Sequence, residues 1–260
     1  MRVKLSLISD SPFCISFNYN HSLQGFIYKA LKLGDEEVAN RVHNNKKDIK
    51  FVFSKPFAHG KKGRDWITDK KKGVFVKSRK FYFLFSTAEP WIFNTFLEGL
   101  FKLESITLFG TTFYLEPPKV LKEPNSLSGK PLKVLSPINV FTNNAPNGAK
   151  TWDLSPFQPR QSPFENEPML WKKLILQNLC SKYLFLKGEF YTGELDIKVL
   201  DKPDPKSKRF WVKPINGDWI YVRAWELGIM LYGDEEILKI TYELGLGMRN
   251  SLGFGMLGVM

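Results

Sequence analysis

The sequence predicts an α+β fold of two tandem ferredoxin-like (RRM-like) domains, each with an antiparallel sheet and helices on one face. Two observations support this prediction. The hydrophobic patterns run twice through the order strand, helix, strand, strand, helix, strand, which is the ferredoxin-like order. A stretch rich in proline, glycine and serine at 116–131 separates the two runs and is typical of a linker. We therefore expect an N-terminal domain at 1–122 and a C-terminal domain at 123–260.

The first half begins with an alternating strand at 2–9 and a helix whose apolar residues recur at helical spacing between Leu23 and Leu31. Gly34 ends this helix, and Asp35 caps a second, shorter helix that has acidic residues in its first turn. The remaining predicted elements of this half are a strand at 51–53, a strand at 74–85, a helix that starts at Pro90, and a strand at 106–115 that is broken at Gly110.

The second half repeats this order after the linker. Trp211 and Trp219 lie in or beside its predicted strands. Tryptophans in strands are more often buried than exposed, so we assign both to the core, with a stacking platform for bases as the alternative. The predicted elements are a strand at 132–141, a loop at 143–163, a helix around 170–179, strands at 195–199, 210–212 and 219–231, a helix at 237–244, and a final strand.

Composition narrows the class of protein. The 260 residues are 43% apolar, which is enough for a substantial core. Cys14 and Cys180 are too few for a disulfide framework or a cysteine-rich metal site, so we expect reduced thiols in a cytoplasmic protein. No run reaches the roughly 18 apolar residues that a membrane span needs, and residues 1–7 alternate like a strand rather than a secretory segment.

The charge indicates an anionic partner. The net charge is +12, and the window 61–80 alone holds nine basic and two acidic residues. Aromatic residues interleave with these charges, and this mixture suits RNA because rings stack on unpaired bases while cations follow phosphates. The basic residues that we expect to bind RNA are Lys70, Lys71, Lys72, Lys77 and Arg79 in the first half, and Lys208 and Arg209 in the second.

The C-terminal segment 245–260 is the most informative part of the chain. Two Gly-X-Gly pairs flank a short linker, and glycine lets a backbone turn sharply and approach another backbone closely. The linker carries a guanidinium, an amide and a hydroxyl, all of which can contact phosphate. The alternative is a plain glycine-rich turn before the last strand. We expect an RNA-binding loop formed by Gly245, Gly247, Arg249, Asn250, Ser251, Gly253 and Gly255.

Three stretches together resemble one family. They are Tyr19–Tyr28 after the first strand, Leu135–Ile138 in the second half, and the terminal glycine-rich loop. They are similar to the CRISPR-associated endoribonuclease (Cas six) family of the repeat-associated mysterious protein (RAMP) superfamily. This resemblance implies tandem ferredoxin-like domains and CRISPR repeat RNA as the partner. It also implies metal-independent cleavage that leaves a 2′,3′-cyclic phosphate and a 5′-hydroxyl. Other CRISPR-associated subunits and a homodimer stay open as further partners.

The resemblance also implies a catalytic tyrosine, histidine and lysine. Tyr28 and His43 match the first two by position, whereas the ungapped lysine position falls on Ile49. We therefore take Lys50 as the lysine and keep Lys47 as the alternative. On a helical wheel Tyr28 lies roughly 130° from the centre of the apolar stripe, which indicates that it points away from the core.

The chemistry of RNA cleavage gives an independent reason to single out histidine. Activation of the 2′-hydroxyl without metal needs groups that move protons near neutral pH, and an imidazole does this. The chain has three histidines, His21, His43 and His59, each of which could instead be structural. None is spaced for a metal site and no dense acidic cluster accompanies them, so we expect no metal and no cofactor.

Two other functions remain open at this stage. One is a protein of the same superfamily that binds repeat RNA without cutting it. The other is a general RNA-binding protein with two RRM-like halves, which would need an aromatic RNP strand motif. The segments Val74–Val76 and Phe81–Phe83 fit such a motif only loosely. The sequence therefore favours an endoribonuclease.

Overall fold

The computed structural model describes residues 1–44, 51–145, 150–200, 206–212 and 219–260. The chain divides into two compact units, Met1–Glu123 and Pro124–Met260, and this division falls one residue after the boundary that the linker predicts. Within the described ranges, no helix is long and apolar enough to cross a membrane.

The described residues of the first unit form three helices and ten strands. The helices are α1 (Asn20–Gly34), α2 (Glu36–Asn44) and α3 (Pro90–Phe101). The strands are β1 (Arg2–Ile8), β2 (Phe13–Ile15), β3 (Val52–Phe53), β4 (Phe57–Ala58), β5 (Trp66–Asp69), β6 (Gly73–Val76), β7 (Lys80–Ser86), β8 (Ile106–Leu108), β9 (Thr111–Leu115) and β10 (Lys119–Leu121).

The main sheet of this unit is antiparallel and runs in the order β3-β7-β1-β9-β8. Strand β1 pairs with β7 along its whole length, from Arg2 opposite Ser86 to Ile8 opposite Lys80. Strands β1, β3, β7 and β9 are the first to fourth core strands, and the order second, third, first, fourth is that of a ferredoxin-like sheet. The predicted ferredoxin-like class is confirmed for this unit.

The predicted single strand at 74–85 is wrong, because the chain turns in its middle. Arg79 adopts a left-handed backbone with φ of 57°, which a regular strand does not accommodate. The first part, β6, therefore joins β2 and β5 in a separate three-stranded sheet, and the second part, β7, enters the main sheet. The basic residues of this region consequently lie on and beside a small hairpin outside the main sheet.

Helices α1 and α3 pack so closely that glycine is required at their contact. A Cβ atom on Gly99 would lie 1.7 Å from the carbonyl oxygen of Ala30, and one on Gly34 would lie 2.0 Å from that of Thr95. Phenylalanines fill the core beside them, for example Phe85 stacked on Phe96 with ring centroids 4.1 Å apart. This packing fixes α1, and with it one candidate site residue.

In the second unit, the part of the chain that the structure describes forms two α-helices, a short 3-10 helix and eight strands. The helices are α4 (Glu167–Lys187) and α5 (Glu235–Leu244), and the 3-10 turn covers Asn250–Leu252. The strands are β11 (Pro131–Val134), β12 (Phe141–Thr142), β13 (Trp152–Asp153), β14 (Asp196–Val199), β15 (Lys206–Val212), β16 (Ile220–Glu226), β17 (Gly228–Tyr232) and β18 (Leu257–Val259).

The main sheet of the second unit is again ferredoxin-like. Its order is β14-β17-β11-β18, and all its pairings are antiparallel. Helix α4 follows the first strand and α5 follows the third, as this fold requires. Asn166 caps the start of α4 by accepting the amide hydrogen of Met169, and Gly188 in the left-handed region ends it.

Three boundaries differ from the sequence prediction. Strand β11 ends at Val134 because Ser136-Pro137 follows, and proline has no N–H for a ladder. The predicted strand at 219–231 is interrupted at Leu227 and splits into β16 and β17, which belong to different sheets. The predicted loop at 143–163 contains the short strand β13, which pairs with β12.

Candidate functional site

Helices α1 and α2 bring the predicted tyrosine and histidine together. The sharp turn between them is stabilised by Asp35, whose Oδ1 accepts hydrogen bonds from the amides of Glu37 and Val38 at 2.8 and 3.0 Å. Across this turn the rings of Tyr28 and His43 meet edge to face, with centroids 5.5 Å apart and planes at 78°. The structure thus brings His43 against Tyr28.

Tyr28 is half-buried. Its ring also contacts Phe51 edge to face at 5.8 Å. Burial raises the pKa of Tyr28 to about 12, so its hydroxyl keeps its proton throughout the neutral range. The helical wheel places Tyr28 off the main stripe of α1, and the structure shows that it packs there against α2 rather than facing open solvent. A protonated phenol at this position can donate a hydrogen bond but is a poor base.

His43 is exposed at the end of α2, where a ligand can reach its ring. Its Nδ1 lies 3.4 Å from Oδ1 of the neighbouring Asn44. The other two histidines lie elsewhere: His21 is in the first turn of α1, and His59 follows β4 on a loop. Both are at least partly exposed, and the described ring contacts of Tyr28 are made by His43 and Phe51.

The predicted catalytic lysines, Lys47 and Lys50, lie outside the described residues. Phe51, which follows Lys50 in the chain, is fully buried against Tyr28. The choice between the two lysines therefore stays a prediction.

The glycine-rich loop needs its glycines. All four residues, Gly245, Gly247, Gly253 and Gly255, have φ between 76° and 86°, which side chains rarely adopt. Space is also lacking: a Cβ on Gly255 would lie 1.9 Å from the carbonyl oxygen of Leu246, and one on Gly247 would lie 2.5 Å from that of Asn139. The close backbone approach that the sequence predicts is present in the structure, whereas contact between these glycines and RNA stays a prediction.

Two side chains of this loop that we predict to contact phosphate have partners inside the protein, and their contact with RNA stays a prediction. The side chain of Arg249 is 12% exposed and points inward, where Nη1 donates to Asn139 at 2.7 Å and to Asp153 at 3.0 Å. Its guanidinium also lies 4.0 Å from the ring centroid of Phe141. Burial lowers the pKa of Arg249, and Asp153 opposes this shift.

Asn250 is buried as well, and its Nδ2 donates to the carbonyl of Phe254 at 2.9 Å. These two side chains therefore hold the loop together rather than extend from it. Ser251 is half-buried between them and the second glycine pair, and its contact with RNA stays a prediction.

Sequence reasoning missed a buried lysine beneath this loop. Lys182 on α4 is 2% exposed, and its Nζ donates to the carbonyls of Gly245 at 2.5 Å and Gly247 at 3.1 Å. Desolvation lowers the pKa of Lys182 to about 7. The signal was present in the sequence, because Trp171, Ile175, Leu179 and Lys182 continue one apolar stripe at spacings of four, four and three.

The predicted basic residues of the first unit are solvent-exposed. Strands β5 and β6 form a hairpin whose turn is held by Asp69, since its Oδ1 accepts from the amides of Lys71 and Lys72 at 2.8 and 3.0 Å. These contacts lower the pKa of Asp69. The exposed cations on and beside this hairpin are Lys70, Lys71, Lys72, Lys77 and Arg79.

The second basic region lies on the β15–β16 hairpin. Lys208 forms an ion pair with Glu226, with Nζ 2.9 Å from Oε1, while Arg209 is exposed on the opposite face. Trp211 and Trp219, which we assigned to the core from sequence, are both exposed, so that assignment is wrong. Among the described strands, β15 and β16 pair only with each other, and the side chains at the end of the hairpin that carries Trp211 are exposed.

Among the described residues, no group of three or more histidine, cysteine, aspartate or glutamate side chains is arranged to hold a metal ion. Both cysteines are free thiols, and both are partly exposed.

Comparison with known proteins identifies the family. Residues 14–119 match the family described as CRISPR-associated protein Cas6, N-terminal, and residues 121–259 match CRISPR associated protein Cas6, C-terminal. The chain belongs to the Cas6 family. It is 32% identical over 265 residues to a CRISPR-associated endoribonuclease Cas6 of Pyrococcus furiosus, covering 100% of this chain and 90% of the relative.

Other relatives agree with this family assignment. A second endoribonuclease, Cas6 1 of Methanocaldococcus jannaschii, is 29% identical over 257 residues, which is 98% of this chain and 91% of the relative. A solved structure titled CRISPR associated protein Cas6 superposes with a TM-score of 0.77 at 27% identity, covering 100% and 99% of the two chains. A RAMP protein described as binding different RNA substrates superposes with a TM-score of 0.82 at 22% identity, covering 100% and 99%, and supports the shared fold.

Proposed function

We propose that this Cas6 family member is an endoribonuclease that cleaves CRISPR repeat RNA in precursor transcripts and so releases mature guide RNAs. The observation that carries the proposal is the contact between Tyr28 and His43, two residues that lie fifteen positions apart and that RNA cleavage can use together. Membership of the Cas6 family and two relatives named endoribonucleases support it. We place this activity in the cytoplasm, with precursor RNA as the partner.

The proposed reaction is metal-independent. The 2′-hydroxyl of the nucleotide before the cut attacks the adjacent phosphorus, the P–O5′ bond breaks, and the products carry a 2′,3′-cyclic phosphate and a 5′-hydroxyl. One proton leaves the 2′-oxygen and one is delivered to the departing 5′-oxygen. An imidazole suits either transfer because its ordinary titration spans neutral pH, so we assign proton transfer to His43.

Tyr28 has a different role in this proposal. With its pKa raised to about 12, the phenol stays protonated and cannot accept the 2′-hydroxyl proton. It is instead suited to donate a hydrogen bond to a phosphate oxygen as negative charge develops there. A lysine would offset the remaining charge, and we retain Lys50, with Lys47 as the alternative, for that role.

The exposed cations give the RNA a binding surface in each unit. The β5–β6 hairpin presents five exposed basic side chains, and Arg209 is exposed on β15. Such cations contact phosphates and give affinity that falls with added salt, with little dependence on sequence. We therefore propose that these hairpins hold the RNA backbone while the Tyr28–His43 site acts on one phosphodiester.

A cleavage assay in excess EDTA tests the proposal. The substrate is a 5′-labelled CRISPR repeat RNA from the source organism, run beside the same RNA with a single 2′-deoxy nucleotide at the cut. We expect one cut in the all-ribose RNA, none in the deoxy RNA, and a cyclic phosphate on the 5′ fragment by mass spectrometry. Cleavage of the deoxy RNA at the same position would exclude 2′-hydroxyl attack. Tight binding without any cut would leave a repeat RNA-binding protein that does not cleave.

A further inference from the structure

The β15–β16 hairpin carries two aromatic residues on the same face as Arg209, and the proposed function gives these rings no role. In its antiparallel register Trp211 lies opposite Tyr221, and Arg209 lies opposite Arg223. Side chains two residues apart on a strand point to the same side of a sheet, so these four residues share one face.

The opposite face shows which way the hairpin is oriented. Its residues Phe210, Val212, Val222 and Ala224 are buried, which fixes that face against the interior of the unit. Trp225 lies on the other face and is 3% exposed, so that face is covered at this end of the hairpin. Trp211 and Tyr221, at the other end of the same face, are exposed to solvent. One face of the hairpin is thus used in packing, and the other is open to solvent at the end that carries Trp211 and Tyr221.

The aromatic pair at this end of the hairpin is unusually open to solvent. Trp211 is 41% exposed and Tyr221 is 55% exposed, and their ring centroids lie 3.8 Å apart. Arg209 is exposed next to them. Arg223 is half-buried, with its guanidinium 4.5 Å from the ring centroid of Trp225. The described part of this face carries two arginines and no carboxylate. Glu226 lies on the opposite face of the hairpin, where it forms an ion pair with Lys208.

Two exposed rings beside an exposed arginine match one class of ligand. A nucleotide with an unpaired base has a flat π-face that stacks on tryptophan or tyrosine, and a phosphate that attracts arginine. We propose that the outward face of Trp211 and Tyr221 is a stacking platform for an unpaired nucleotide of the RNA, with Arg209 at an adjoining phosphate. This inference rests on the proposed function, because it takes RNA as the ligand, and it adds a base-contacting site.

The test separates the contribution of the aromatic rings to RNA affinity from the contribution of the arginine charge. We would measure affinity for the CRISPR repeat RNA and for a single-stranded oligouridylate of about ten nucleotides, a length within the usual site size. The variants are W211L/Y221L, which keeps apolar side chains but removes the rings, Trp211→Phe, which keeps a ring, and Arg209→Ala. Phe190→Leu is the control, because Phe190 is an aromatic residue of the same unit, 80% exposed and outside the hairpin.

We expect W211L/Y221L to weaken binding of both RNAs about 5- to 160-fold, the range for loss of one stacked base. The dependence of affinity on salt should stay as in wild type, since no phosphate contact is lost. Trp211→Phe should retain most of the affinity, and Phe190→Leu should bind like wild type. Arg209→Ala should instead lower the slope of log affinity against log salt by about 0.7, the contribution of one phosphate on single-stranded RNA.

Unchanged affinity of W211L/Y221L, with a folded hairpin by circular dichroism, would overturn the platform and leave this face to a protein partner. A double variant that lowers the salt slope as Arg209→Ala does would also overturn it. The two proposals fail separately. If wild type cuts repeat RNA and W211L/Y221L binds RNA as tightly as wild type, the stacking platform is refuted and the cleavage proposal stands. A wild-type protein that binds through these rings without cutting refutes cleavage alone.

Discussion

Replacing Lys182 by methionine should change how the stability of the second unit depends on pH. The ammonium is buried beneath the glycine-rich loop, and its hydrogen-bond acceptors are two backbone carbonyls, Gly245 and Gly247. Burial disfavours the charged form, which lowers the pKa from an ordinary 10.5 to about 7 in the folded protein. In the unfolded chain the lysine keeps its ordinary pKa, so folding is linked to proton release.

The sign and size follow from these two pKa values. The cost of burying the proton is fully present below about pH 7 and is relieved as the pH rises towards 10.5. Each pKa unit corresponds to about 1.4 kcal/mol, so the full cost is about 5 kcal/mol. Between pH 6 and pH 9, wild type should therefore gain about 3 kcal/mol of unfolding free energy relative to Lys182→Met. Methionine also leaves two carbonyls without their donor, at about 1–3 kcal/mol each, but this cost does not vary with pH.

The assay is urea unfolding of wild type and Lys182→Met at pH 6, 7, 8 and 9. Lys173→Met serves as the control, because Lys173 is an exposed lysine on the same helix. The free energy of unfolding of wild type minus that of Lys182→Met should increase with pH. The free energy of unfolding of wild type minus that of Lys173→Met should not change with pH. A Lys182 difference that stays constant across this range would refute the idea that a buried, proton-releasing lysine supports the loop.

Three further outcomes follow from the described contacts. Arg249→Met should cost about 3 kcal/mol in unfolding free energy, because Asp153 would be left as a largely buried charge; a loss under about 1 kcal/mol would mean that the pair is dispensable. Gly255→Ala should lower the melting temperature far more than Gly110→Ala, since both have positive φ but a Cβ has room at Gly110 alone; equal effects would contradict the close approach. Tyr28→Phe should keep stability but slow single-turnover cleavage about 100-fold, and an unchanged rate would show that the hydroxyl takes no part.

Much of the fold could be predicted because hydrophobic periodicity reports which face of each element is buried. The stripe of α1 and the alternation of β1 are regular, and both elements lie where the sequence places them. The terminal glycines could also be interpreted, since two Gly-X-Gly pairs within eleven residues are typical of a backbone that needs positive φ, and all four adopt it. The contact between Tyr28 and His43 agrees with the site that the family resemblance implies, although its catalytic role stays a prediction.

The remaining features depend on tertiary partners that a local pattern does not show. A tryptophan in an alternating strand is usually buried, but Trp211 lies at the exposed end of a two-stranded hairpin. Arg249 is a residue type that often binds phosphate, but its guanidinium points inward and donates a hydrogen bond to Asp153, which lies 96 residues away in the sequence. Likewise, the left-handed backbone at Arg79 separates β6 from β7, and the two strands belong to different sheets. The separation is evident only from the strand pairing.

The most direct test of the Tyr28–His43 site is the single-turnover cleavage rate of His43→Ala on repeat RNA, with enzyme in excess and binding measured in parallel. His59→Ala, a loop histidine in the same unit, is the matched control. We predict that His43→Ala binds RNA like wild type but cuts about 100- to 10,000-fold more slowly, as expected for loss of a proton-transfer group, while His59→Ala cuts normally. Cleavage by His43→Ala at the wild-type rate would contradict the assignment of the active site to Tyr28 and His43.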